Sequence, residues 1–140
     1  MEIYINWIAV IVAVIVSLIL AKTWYAEALL GEPWRKLTGI TPADSKRAGS
    51  KPIILTLFAN IATVLVLAAL IDMSAEFFSD GSLWHALITS LVAWVAFSAT
   101  TLLTHNAFEQ KPDKLTLINN GYQLLLFVLS ALVIGLFGIS

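Results

Sequence analysis

The chain has 140 residues, 59% of them hydrophobic and only 12% charged, with a mean hydropathy of +0.90 and a net charge of −1. Water-soluble domains carry about 25% charged residues, so this balance excludes an ordinary soluble fold. The absence of cysteine excludes disulfides, thiolate metal sites and cysteine nucleophiles.

Four apolar stretches, at about 3–21, 53–71, 83–103 and 115–137, approach the length of about 20 residues that a hydrocarbon core requires. They read as one all-α domain of four transmembrane helices, residues 1–140, with no room for a soluble catalytic domain. The connection between the first two stretches holds Lys22, Arg35, Lys36, Lys46, Arg47 and Lys51, and that between the last two holds Lys111 and Lys114. The termini and the middle connection hold neither lysine nor arginine. This positive-inside pattern predicts both termini on the non-cytoplasmic side of a cytoplasmic (inner) membrane, a polytopic N-out/C-out arrangement. Charge sorted by side predicts no nucleic-acid partner. The first stretch lacks a basic leader and exceeds a signal h-region, so it reads as a retained helix.

Helix 1 starts near Ile3, with Tyr4 and Trp7 at the outer interface. Ala9, Ala13, Ser17 and Ala21 recur at fourfold spacing, a stripe that lets another helix backbone approach closely. Lys22, Trp24 and Tyr25 form an interfacial belt beyond it, and Ala26–Leu30 extends the helix along the interface. Gly31 and Pro33 turn the chain, and Trp34 anchors it. Thr41-Pro42-Ala43-Asp44 reads as a capped start of a short interfacial helix reaching about Ala48. Helix 2 opens after Pro52 and ends outside at Asp72. Phe77, Phe78 and Trp84 suit the outer belt around an Asp80-Gly81 turn, and Ser82 caps helix 3.

Polar residues inside spans carry the functional signal, because lipid cannot satisfy them. Asn60 on helix 2, Ser98, Thr101 and His105 on helix 3, and Asn119, Tyr122 and Gln123 on helix 4 all fall in the cytoplasmic half. Trp94, Ser98, Thr101 and His105 share a face of an ideal helix, and Glu109 continues it. These residues predict a polar cluster opening to the cytoplasm, with interhelical hydrogen bonding as the plainer reading. His105 and Glu109 could supply two metal ligands, which do not make a site, so no metal and no cofactor are expected. No G-x-S-x-G, no Ser/His pair set by spacing and no phosphate-binding glycine loop appears.

Trp24-Tyr25, Gly31-Glu32-Pro33-Trp34, Leu37-Thr38-Gly39-Ile40-Thr41, Phe108-Glu109 and Ile118-Asn119-Asn120-Gly121-Tyr122 together resemble a family of small bacterial membrane proteins. It is catalogued as domain of unknown function family 1761. The resemblance implies a four-helix integral membrane protein of a bacterial host and carries no activity with it. Besides the lipid bilayer, the expected partner is a second copy, in a homo-oligomeric channel or transporter-like protein. The alternative is an accessory or assembly subunit of a larger membrane complex. An intramembrane enzyme ranks third.

Overall fold

Asn6 accepts a hydrogen bond from the Ala9 N–H through its side chain and so starts helix α1, Trp7–Trp24. The structure, a computed structural model, describes residues 2–138. Residues 2–6 are not helical, so the helix opens four residues later than hydropathy suggests.

The connection after α1 is ordered. A wide π-turn, Glu27–Gly31, runs directly into α2, Glu32–Thr38. Gly31 and Pro33 were expected to turn the chain; the fold-back closes at Gly31, and Pro33 lies in the first turn of α2, where its missing N–H costs nothing. A β-carbon on Gly31 would lie 2.5 Å from the Tyr25 carbonyl oxygen, so only glycine fits this tight fold-back. Helix α3, Pro42–Ala48, is capped reciprocally: the Thr41 hydroxyl accepts from the Asp44 N–H, and the Asp44 carboxylate accepts from the Thr41 N–H. Arg35 joins the two short helices by donating to Ser45 Oγ at 3.0 Å.

Donation from the Thr41 N–H and hydroxyl, with Arg47 adding to it, holds the Asp44 carboxyl below its ordinary value of 3.8. A depressed carboxyl stabilises the fold above its unfolded value and loses that contribution as pH falls through the lowered one. Protection of the α3 amides from hydrogen exchange should therefore drop as pH falls past 3.8. Equal protection on both sides of that pH would contradict the capping role.

Three long helices follow: α4, Lys51–Phe78, α5, Leu83–Phe108, and α6, Asp113–Leu136. With α1 they give four helices long and apolar enough to cross a membrane. Helix α4 continues well past Asp72, where the sequence had suggested its end. Asp72 is tolerated there because its carboxylate accepts the Tyr4 N–H at 2.8 Å. Ser82 caps α5 by accepting from the His85 N–H.

In cross-section α1 packs against α4, α4 against α5, α5 against α6, and α6 back against α1. The core consists of Val64, Leu67 and Ile71 of α4 against Leu126, Ala131 and Ile134 of α6, with Ala9 and Ala13 of α1. The small-residue stripe is spent here. Ala9, Ala13 and Ser17 are buried inside the subunit and Ala21 is half-buried, so that face is not offered to a second copy. Ile8, Ile15, Phe58, Val66, Phe97 and Leu117 cover the outside, an apolar surface suited to lipid.

Candidate functional site

Polar side chains gather at the end of the bundle that carries the basic connection. Asn60 of α4, 3% exposed, donates from Nδ2 to Ser17 Oγ of α1 at 3.0 Å and to the Tyr122 hydroxyl of α6 at 3.1 Å. The Ser17 hydroxyl donates in turn to the Val14 carbonyl at 2.6 Å. One layer outward, the Tyr25 hydroxyl donates to Asn119 Oδ1 at 2.7 Å. The Tyr25 ring stands 5.5 Å from that of Tyr122 and 6.0 Å edge-on from that of Trp34. Burial, with Tyr122 beside it, pushes the Tyr25 phenol above its usual range, so it remains a donor.

Trp24 completes the layer. Its Nε1 donates to the Ile118 carbonyl at 2.9 Å, and its ring covers Gly121, where a β-carbon would lie 2.8 Å from Cζ2. Trp24, Tyr25 and Trp34, expected as lipid anchors, are half-buried and fasten the connection to α6. Trp84, at the other end, is 70% exposed. The residues that carry the family resemblance thus meet: Trp24-Tyr25 closes on Ile118-Asn119 and Gly121-Tyr122.

The remaining cluster residues lie elsewhere. Ser98, Thr101 and Gln123 line a groove of about 590 Å³ between α4, α5 and α6, open on the bundle's outer surface between Val66 and Phe97. Thr101 donates to the Phe97 carbonyl, whereas the side chains of Ser98 and Gln123 have no hydrogen-bond partner among the described residues. His105 is exposed, and exposed Glu109 pairs with Lys111 at 2.6 Å. In place of His105, Asn106 is buried and donates to Thr116 Oγ1 at 3.0 Å.

That one-residue displacement has a local cause. Helix α5 contains a π-turn over Val95–Ala99. Ser90 and Asn106 would lie about 160° apart on an ideal helix, at roughly 100° per residue. An inserted residue takes back about 100° of that, and both side chains face α6. Ser90 bonds the Phe127 carbonyl at 2.7 Å as Asn106 bonds Thr116. A face drawn with one uniform period cannot pass through this turn. The sequence reading therefore missed Asn106 and Ser90, and also the roles of Ser17, Trp24 and Tyr25. Trp24 and Tyr25 could have been found from the glycine and amides of Asn119-Asn120-Gly121, which offer a flat, polar seat for an aromatic pair.

Chemically, this end offers neutral donors and acceptors. Among the described residues no three His, Asp or Glu side chains gather closely enough to hold a metal ion. The inner layer is sealed, since Asn60, Tyr122 and Ser17 keep 6% exposure or less. It holds α1, α4 and α6 in register, and the groove beside it is where another molecule could reach polar groups.

Comparison with curated proteins and with solved structures finds no match. A family model described as a protein of unknown function, DUF1761, matches residues 8–135, from the first turn of α1 to the end of α6, and the chain belongs to that family.

Proposed function

We propose that this chain is a multi-pass protein of the bacterial cytoplasmic membrane, with both termini on the non-cytoplasmic side, working as a transporter-like homo-oligomer. The observation that carries this reading is the Gln123 side chain. It lies in the α4–α5–α6 groove, about 15 Å along α6 from Asp113, with no hydrogen-bond partner among the described residues. An amide facing hydrocarbon without a partner is costly. A carboxamide is also its own complement, with an NH₂ to donate and a carbonyl to accept. Two copies with grooves facing bring Gln123 to Gln123. Thr63, Ser98 and Thr101 then line the space between copies, and a small polar solute would pass there rather than through the filled core of one bundle.

The copy number of the protein in lipid nanodiscs tests this. Wild type should assemble, and Gln123→Leu should weaken assembly about tenfold, as expected for roughly 1–2 kcal/mol of interhelical hydrogen bonding. Flux of small solutes into proteoliposomes should fall in parallel. A wild type that stays monomeric as its density in the bilayer rises would defeat self-assembly.

The fixed connection favours a second reading, an accessory subunit. Trp24, Tyr25 and Trp34 give α2 and α3 a set position, with Lys36 and Lys46 exposed on them. Recovery of a different chain in fixed stoichiometry from the native membrane would support it.

A further inference from the structure

At the opposite end of the bundle, Ser74 lies in the last turns of α4, and its hydroxyl meets two side chains of α5. It is hydrogen-bonded to His85 Nε2, and Thr89 Oγ1 lies 2.9 Å from the same oxygen. The other ring nitrogen, His85 Nδ1, is 3.8 Å from Asp80 Oδ2. Asp80 is fixed in the turn between the helices, where its Oδ1 accepts the Ser82 N–H at 2.9 Å. Donation from Ser82, with His85 adding to it, holds the Asp80 carboxyl below its ordinary value, so it is ionised at neutral pH. A carboxylate beside Nδ1 favours the proton there and leaves Nε2 as acceptor for the serine hydroxyl. The order carboxylate, imidazole, hydroxyl is that of a serine nucleophile with its base. Spacing in the sequence showed no Ser/His pair; α4 running on to Phe78 and the return through Asp80-Gly81 create one.

The surroundings suit an ester at a membrane surface. Ser74, His85 and Thr89 are half-buried rather than sealed. Phe77, Phe78 and Trp84 stand exposed around them, and the Phe78 ring lies 5.6 Å from the His85 ring. Such aromatic side chains sit at the headgroup level of a bilayer.

We propose that Ser74, His85 and Asp80 form a hydrolytic site for carboxylic esters carried by membrane lipids, independent of the self-assembly proposed above. Ser74 Oγ adds to the ester carbonyl carbon while its proton passes to His85 Nε2. The carbon–oxygen bond to the lipid alcohol breaks as His85 returns that proton to the leaving oxygen. Water, deprotonated by His85, then cleaves the acyl-serine, releasing the carboxylic acid and restoring the Ser74 hydroxyl. The Asp80 carboxylate, 3.8 Å from Nδ1, places a negative charge beside the ring that takes up the proton.

The test is covalent labelling of the full-length protein in phosphatidylglycerol vesicles with a fluorophosphonate, which serine nucleophiles attack with loss of fluoride. The modified residue is located by mass spectrometry. Ser74 should carry the label, Ser74→Ala should lose it, and Ser50→Ala should label as wild type does. His85→Gln should slow labelling about 100-fold or more. Folded wild-type protein that leaves Ser74 unlabelled overturns the proposal, whether or not a variant folds. Labelling of His85→Gln at the wild-type rate overturns it too. Fatty acid released from the vesicles by wild type and not by Ser74→Ala is the expected activity. Hydrolysis of p-nitrophenyl butyrate alone would overturn the lipid assignment.

Discussion

Gly121→Val should destabilise the bundle by about 2–3 kcal/mol, measured by unfolding in mixed micelles. The valine Cβ would lie where the Trp24 ring now stands, 2.8 Å from Cζ2. Helix propensity pulls the other way, since glycine is the poorer helix former by roughly 0.5 kcal/mol, and it is the smaller effect. Displacing the ring breaks the Trp24 bond to the Ile118 carbonyl and loosens Tyr25 from Asn119. The decisive control is the same change in a Trp24→Leu background. There the steric cost should largely vanish, and an undiminished penalty would show that Gly121 matters for some other reason.

Asn60→Leu should cost about 2 kcal/mol in the same assay. Interhelical hydrogen bonds in membranes average well under 2 kcal/mol each, but this amide makes two, and both lie in a sealed layer. Leucine leaves the Tyr122 hydroxyl and Ser17 Oγ without their donor in a place water cannot reach. Tyr122→Phe alone should cost less, because Asn60 keeps Ser17. The two changes together should fall short of their sum by roughly 1 kcal/mol. Strict additivity would mean that the Asn60–Tyr122 bond contributes nothing to stability.

The four long apolar helices and the α3 cap were legible because each rests on a local signal: a long apolar run, or a hydroxyl and a carboxylate at capping distance in sequence. Helix α2 was not, since Gly31 and Pro33 read as a turn alone, and the helix that the chain enters through them carries no separate signal. The end of α4 was misplaced because a carboxylate normally marks the edge of a span, whereas Asp72 is satisfied by the backbone of Tyr4. Candidate-site residues fared by the same rule. Asn60, Tyr122 and Asn119 lie on regular helices and come together. His105 lies beyond a π-turn that no periodicity announces, and Asn106 takes the inward position.

Helix lengths bear on the membrane itself. The 18 residues of α1 measure about 27 Å, and the 28 of α4 about 42 Å. A hydrocarbon layer of roughly 30 Å cannot fit both without tilt or overhang. Asp72, Glu76 and Ser74 all lie on the part of α4 that outruns α1. In the membrane proposed above, bilayer thickness acts as a solvent boundary: a thin membrane leaves those last turns in water, and a thick one draws their carboxylates toward lipid.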